Sequence, residues 1–204
     1  HEARYAQAAA DIESFLKLQQ QAVGGQPEVL RVLGKNADGS WNYGFSPDGP
    51  TWGASLPREV LTAWGVDSAA LLSFGESART HVIWEGQEVT GYDFIPTDGR
   101  ELGEELIAAE FTGHRVIALA HHGRADAAAA LHAELAKLTI SRNGTSGLPY
   151  ATRPGAETGL GLKWKTPEGA DTISTAATGW FILGALGVNP FDVASAAGPV
   201  ARWR

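Results

Sequence analysis

Residues 104–124 read EELIAAEFTGHRVIALAHHGR, with apolar side chains around almost the whole circumference of a helix. This pattern is typical of a helix that is buried on most sides. At 100° per residue, one narrow face carries Glu110, His114, Ile117 and His121. Burying an unpaired polar group costs roughly 2–7 kcal/mol. We therefore expect these groups either to pair, as Glu110 and His114 can at one helical turn, or to face a wet cavity.

The composition excludes several classes of function. The chain has 16 Lys and Arg against 23 Asp and Glu, which gives a formal net charge of -7. No basic cluster is present, so we expect no nucleic-acid partner. No apolar run reaches the length of a membrane span. Because Cys is absent, disulfides, thiolate metal sites and a Cys nucleophile are excluded.

The remaining periodicity is mostly helical. Helical patterns cover residues 3–23, 54–64, 68–77, 125–138 and 172–186 in addition to the central stretch. Two pairs of β-prone arms predict small hairpins, one at residues 29–33 and 41–45 and one at residues 80–94 around Glu85-Gly86. Residues 142–165 are Gly-rich and predict a long loop. We therefore expect one helical domain over residues 1–204, or a processed part of a longer protein.

Three apolar stretches end at a glycine, namely Gly65, Gly123 and Gly187. Regular spacing of this kind favours stacked helical pairs. The alternative is that glycine is simply common after the last residue of a helix.

Four short motifs carry a resemblance: Gly91-Tyr92-Asp93-Phe94, Glu110-Phe111-Thr112-Gly113, Gly147-Leu148-Pro149-Tyr150-Ala151 and Leu186-Gly187-Val188-Asn189-Pro190-Phe191. Through them the chain beyond residue 50 resembles the later hairpins of (α/α) toroid carbohydrate-active proteins of the glycoside hydrolase and polysaccharide lyase type. The resemblance implies an all-α fold, with helical hairpins in an (α/α) toroid or partial toroid and short β-hairpin insertions. A ring of six hairpins needs about twice this length. A second polypeptide that completes the ring is therefore one expected partner, beside an oligo- or polysaccharide.

A glycoside hydrolase needs two carboxyl groups across the sugar bond, one protonated and one ionised. Glu110 is the best candidate for the acid, because burial in an apolar helix raises a carboxyl pKa. Asp93, between Tyr92 and Phe94, is the best second carboxylate. The alternative for Asp93 is a solvated loop residue. The reserve candidates are Asp98, Glu85 and Asp171.

Sugars stack their apolar faces on aromatic rings, and this preference selects most of the candidate binding residues. Arg153 is added because a guanidinium group binds carboxylate or phosphate, and His114 because it shares a helix face with Glu110. The predicted substrate-binding set is Trp52, Tyr92, His114, Tyr150, Arg153 and Trp164. The histidines lack the His-Glu-x-x-His pattern of zinc enzymes, so no metal or other cofactor is expected.

These observations favour a carbohydrate-active protein, most specifically a glycoside hydrolase. The alternative is a non-catalytic glycan-binding or structural subunit of a cell-surface assembly. The chain opens with His1 and contains no Met, which is consistent with removal of a signal peptide or with cleavage of a longer precursor. We therefore expect a secreted, periplasmic or cell-surface location.

Overall fold

The computed structural model describes residues 2–21, 34–35, 37–39, 41–42, 47–99, 101–160, 164–169 and 172–192. These ranges contain seven α-helices: α1 (Glu2–Gln21), α2 (Asp48–Ser55), α3 (Arg58–Trp64), α4 (Ser68–Gly75), α5 (Ala109–His121), α6 (Ala125–Ala136) and α7 (Thr175–Leu186). They also contain six strands: β1 (Gly34–Lys35), β2 (Trp41–Asn42), β3 (Arg79–Trp84), β4 (Gln87–Tyr92), β5 (Ile140–Arg142) and β6 (Thr145–Gly147). The strands pair consecutively into three two-stranded antiparallel sheets.

Helix α5 is the centre of the fold, as its apolar circumference predicts. It packs against α2, α6, α7 and strand β4. Its side chains enter each of the three buried clusters, with Val116 in one, Ala118 in the second and Phe111 in the third. The site described below lies at the N-terminal end of this helix.

Helix α5 begins later than predicted, at Ala109 instead of residue 104. The preceding residues are extended because their backbone groups bond to two neighbouring segments. Ala108 N–H donates to Tyr92 O over 2.8 Å, and Thr152 N–H donates to Ile107 O over 3.1 Å. Ile107 N–H donates to Thr152 Oγ1 over 2.8 Å. This pairing fixes the segment after β6 beside the start of α5.

The predicted all-α class is wrong. The hairpin of β3 and β4 forms six residue pairs from Arg79↔Tyr92 to Trp84↔Gln87, and Val89 and Tyr92 are buried in the same cluster as α5 and α6. This sheet is therefore part of the core and is no insertion between helices. The described helices also form no (α/α) ring, because α2, α6 and α7 all pack around the single helix α5.

Two further predictions need correction, and two lie outside the described residues. The predicted helix at residues 54–64 is two helices, because Leu56 and Pro57 are extended (ψ 154° and 135°), as the residue before a proline prefers. The predicted loop at residues 142–165 begins with the hairpin of β5 and β6.

The predicted arm at residues 29–33 and the reserve candidate Asp171 lie outside the described ranges. Among the helices in those ranges, none is both long and apolar enough to cross a membrane.

Candidate functional site

Two packed helices each present an i, i+4 pair at the candidate site. Helix α2 supplies Asp48 and Trp52, and helix α5 supplies Glu110 and His114. Residues four apart lie on the same face of a helix. Asp48 acts electrostatically on Glu110, and Trp52 bonds to His114 one turn further along. The N-terminal turns of both helices therefore bring two carboxyl groups together.

The bond between Trp52 and His114 determines the state of the imidazole. Indole Nε1 donates to His114 Nδ1 over 2.9 Å, and because the indole nitrogen is only a donor, Nδ1 must accept. The neutral ring therefore carries its hydrogen on Nε2, which lies 3.7 Å from Glu110 Oε1. The His114 side chain is 1% exposed, and burial lowers its pKa to about 3. His114 is thus a neutral imidazole whose Nε2–H group is near the glutamate but has no hydrogen-bond partner among the described residues.

Glu110 is half-buried at the start of α5. Burial raises its pKa above the ordinary value for glutamate, and the negative charge of Asp48 raises it further. Asp48 is also half-buried, and its Oδ1 accepts a 2.9 Å hydrogen bond from Gly49 N–H. The arrangement favours a proton on Glu110 beside a second carboxylate.

Tyr150 lies over the start of α5 because the backbone places it there. Ala109 N–H donates to Tyr150 O over 3.2 Å, and Ala108 pairs with Ala151 in a β-bridge. Burial raises the pKa of the Tyr150 phenol to about 12, with further contributions from Glu110 and Asp48. The phenol therefore keeps its proton near the carboxyl pair and can donate a hydrogen bond to a ligand.

Two groups of aromatic rings contact the residues of this site. Phe94 stacks on Tyr150 at 5.6 Å, and the Trp164 ring is 6.1 Å from each of them. The Trp52 ring, which contacts His114, is 6.1 Å from Phe191. Trp164 is 44% exposed and Trp52 is 39% exposed. Two tryptophans of the site are thus partly open to a ligand.

Of the predicted residues, Glu110, Trp52, His114, Tyr150 and Trp164 come together here, whereas Asp93 does not join them. Asp93 is 0% exposed. Its Oδ1 accepts from Phe94 N–H over 2.6 Å and its Oδ2 accepts from Leu106 N–H over 3.2 Å. A carboxylate that is fully enclosed and bonded to backbone N–H groups holds the two chain segments together and is not available to a substrate.

Tyr92 and Arg153 also lie elsewhere. The Tyr92 ring is buried, and its hydroxyl donates to Glu76 Oε1 over 2.9 Å. Arg153 Nη1 donates to Gly103 O over 3.0 Å, so it ties down a neighbouring loop. The reserve candidates Glu85 and Asp98 are both exposed, Glu85 in the turn between β3 and β4.

The sequence interpretation missed Asp48, because the Gly, Pro, Ser and Asp residues of 46–53 predict turns, whereas the structure has helix α2 there. The available signal was the spacing of Asp48 and Trp52, which matches the spacing of Glu110 and His114. That signal gains meaning only when α2 is known to pack on α5.

The other histidines of α5 and α6 have structural partners. Nε2 of each lies within 3.1 Å of a main-chain carbonyl oxygen: His121 of Leu56, His122 of Ala54 and His132 of Phe181. Carbonyl oxygens accept hydrogen bonds, so these imidazoles act as donors that join α5 to the end of α2 and α6 to α7. Within the described ranges, no three His, Asp or Glu side chains are grouped as metal ligands would be.

No protein family, curated protein or solved structure was found to match this chain. Its function is therefore inferred from the side chains of this site.

Proposed function

We propose that this protein is carbohydrate-active and, most specifically, a glycoside hydrolase in which Glu110 is the general acid and Asp48 is the second carboxylate. The observation that carries the proposal is the packing of α2 on α5, which brings the charge of Asp48 to act on the half-buried Glu110. Burial and this charge both raise the pKa of Glu110. Glycoside hydrolysis requires one protonated and one ionised carboxyl group. Asp48 takes the role first assigned to Asp93, whose carboxylate is enclosed by backbone donors.

The neighbouring groups support this division of roles. His114 stays neutral, and its Nε2–H group faces Glu110 Oε1 at 3.7 Å, where it can orient the carboxyl group without adding a positive charge. A positive charge at that distance would lower the pKa of Glu110 and remove the acid. Tyr150 keeps its proton and can donate a hydrogen bond to a sugar hydroxyl.

The exposed tryptophans suggest the class of substrate. Trp52 contacts His114, Trp164 contacts Tyr150, and both tryptophans are more than one-third exposed. Aromatic faces bind the apolar C–H faces of sugar rings, while neighbouring polar groups supply hydrogen bonds to hydroxyls. We therefore propose an oligo- or polysaccharide as the substrate. The proposal keeps the expected secreted, periplasmic or cell-surface location.

The test is release of reducing sugar from a panel of polysaccharides by the wild type and by Glu110→Gln. Glutamine keeps the size of the side chain but cannot donate the proton, so we expect turnover to fall by about 100-fold to 10,000-fold. Asp48→Asn should give a similar loss. Glu104→Gln is the matched control, because Glu104 is an exposed carboxylate on the segment that leads into α5, and it should keep wild-type turnover.

Circular dichroism and thermal melting must first show that all four proteins are folded. Equal turnover in the wild type and Glu110→Gln would remove Glu110 as the acid. If folded wild-type protein released no product from any polysaccharide, the proposed hydrolase activity would be wrong.

The exposed tryptophans favour one alternative, a non-catalytic glycan-binding protein. A binder should retain affinity for its polysaccharide in Glu110→Gln and lose it in Trp164→Ala or Trp52→Ala. Stacking of one ring contributes roughly 0.5–1.5 kcal/mol beyond burial, so each truncation should weaken binding several-fold. Polysaccharide affinity electrophoresis of these variants separates the binder from the enzyme, because only the enzyme also releases product.

A further inference from the structure

A cavity of about 370 Å³ lies between strands β3 and β4, helix α5 and helix α6. It shares no residue with the carboxyl and aromatic cluster described above. Three arginines line it, Arg79 from β3, Arg115 from α5 and Arg124 from the start of α6. Two carboxylates, Glu76 and Glu134, also line it.

Arg115 is the buried member of this set, with a side chain that is 1% exposed. Its Nη2 donates to Glu76 Oε1, and its guanidinium carbon lies 5.3 Å from the centre of the Tyr92 ring. Gly75 makes room for the group, because a Cβ there would be 2.9 Å from Nη1. Nε and Nη1 are buried, and neither has a hydrogen-bond partner among the described residues. Arg115 lines the cavity, and two of its charged donors have no acceptor among the described residues, so an acceptor from outside the chain would satisfy them.

The two carboxylates of the cavity are already engaged. Glu76 Oε1 accepts from both Arg115 and Tyr92, and its Oε2 lies 3.9 Å from Arg79 Nη1. Glu134 Oε2 accepts from Thr90 N–H over 2.9 Å, while its Oε1 accepts from Lys137 over 2.6 Å.

Arg124, unlike the two carboxylates, is not engaged by a neighbouring side chain within the described ranges. Its side chain is exposed and makes no hydrogen bond or ion pair with the other described residues. The cavity therefore has three guanidinium groups against two carboxylates, and unused donors remain on Arg115 and Arg124.

We propose that this cavity binds a small oxyanion, a carboxylate, phosphate or sulfate group, between the buried Arg115 and the exposed Arg79 and Arg124. Guanidinium groups bind planar and tetrahedral oxyanions through paired N–H donors. The volume exceeds that of a single oxyanion, so the group can be carried on a larger molecule such as an acidic sugar. This site is separate from the proposed catalytic site, and neither proposal depends on the other.

The test is calorimetric titration of the full chain with inorganic phosphate, sulfate and glucuronate at low salt. We expect saturable binding at one site by at least one of these probes, and the preferred probe identifies the chemical carrier. Arg124→Gln should weaken binding by roughly 10-fold to 100-fold, because it removes a charge-assisted hydrogen bond to the anion. Arg79→Gln combined with Arg124→Gln should weaken it further. The matched control is Arg58→Gln, an exposed arginine on α3 outside the cavity, which should bind as the wild type does.

Arg79 and Arg124 are both exposed, so these variants should fold, and thermal melting checks that they do. Glu110→Gln should bind the anion with unchanged affinity even though it loses hydrolysis, which separates the two proposals. Equal affinity in the wild type and the double variant would overturn the anion site. Failure of all three probes to saturate the wild type would also overturn it, and water would then satisfy the Arg115 donors.

Discussion

The indole Nε1 of Trp52 lies 2.9 Å from Nδ1 of His114 and donates a hydrogen bond to it. This single contact joins α2 to α5 and fixes the imidazole tautomer. It also keeps the opposite ring nitrogen, Nε2, towards Glu110. Trp180 contacts the ring edge-on at 4.1 Å and helps to enclose it. The proposed acid therefore lies beside a buried neutral ring whose protonation state affects both stability and catalysis.

Protonation of His114 should destabilise the fold. The folded-state pKa is about 3, below the ordinary value of 6.5, because the ring is buried. The unfolded chain therefore takes up the proton first as the pH falls. The contribution of His114 to stability is fully present above about pH 6.5 and is lost as the pH falls towards 3, by about 1.4 kcal/mol per pH unit.

The variant His114→Asn tests this prediction, because the amide oxygen can still accept from Trp52 but does not titrate. Urea denaturation at about pH 7 and about pH 5 should show a shallower loss of unfolding free energy in the variant than in the wild type. His81→Asn, which replaces an exposed histidine on β3, should keep the wild-type slope. Identical slopes in the wild type and His114→Asn would show that His114 does not titrate as the structure implies.

Glu110→Gln should raise the thermal stability at neutral pH while it lowers turnover. The folded-state pKa of Glu110 is raised by burial and by Asp48, so the ionised carboxylate is less favourable in the folded chain than in the unfolded chain. The wild type therefore loses stability as the pH rises from the unfolded-state pKa through the folded-state pKa. The melting temperature of the variant should exceed that of the wild type at neutral pH, and the difference should shrink in acid. If Glu110→Gln melted at a lower temperature than the wild type at neutral pH, burial would not be destabilising the ionised Glu110 carboxylate.

Two glycines on packed helices should respond in opposite directions to alanine. A Cβ at Gly113 of α5 would lie 2.8 Å from Trp180 Cβ on α7, whereas a Cβ at Gly179 of α7 meets nothing within 4 Å. Gly113→Ala should therefore cost about 1–3 kcal/mol through overpacking. Gly179→Ala should stabilise by about 0.5–1 kcal/mol, since alanine favours a helix interior. A melting temperature that stays the same or rises in Gly113→Ala would mean that α5 and α7 are not in close contact at Gly113.

Local patterns in the sequence predict the helices well but predict the fold class poorly. The apolar circumference of α5 and the Glu85-Gly86 turn depend on neighbouring residues alone, and both are found. The hairpin of β5 and β6 differs from the long loop that the Gly-rich composition of residues 142–165 predicts. Asn143 and Gly144 have φ values of 49° and 77°, as a tight hairpin turn requires. Asn-Gly is a hairpin-turn signal, and the glycine content of the longer stretch obscured it.

The three glycines that suggested a repeat have a simpler physical explanation. Gly65, Gly123 and Gly187 all have φ values between 65° and 71° at the ends of helices. The left-handed conformation after a helix favours glycine wherever a helix ends. Their spacing therefore reports three helix ends and does not require a repeated unit.

The sequence predicted the two ionisable residues of α5 but not the two that other segments supply. Glu110 and His114 share a helix face, and helical spacing shows that directly. The approach of Asp48 and Tyr150 depends on the packing of α2 and on the β-bridge between Ala108 and Ala151. Both contacts join residues that are far apart in the chain, so no local pattern encodes them.

Asp93 offers a prediction that separates a structural carboxylate from a catalytic one. Its two oxygens accept from Phe94 and Leu106 N–H groups in a fully buried setting. Asp93→Ala leaves both donors without an acceptor and should destabilise the fold by about 1–3 kcal/mol for each unsatisfied group. Asp93→Asn keeps one oxygen acceptor and should cost less stability.

Turnover per folded molecule, measured well below the melting temperature, should be unchanged in Asp93→Asn. Glu110→Gln should instead lose turnover without losing stability. If Asp93→Asn instead lost turnover while its melting temperature stayed at the wild-type value, Asp93 would be a catalytic carboxylate after all, and Asp48 would lose the role proposed for it.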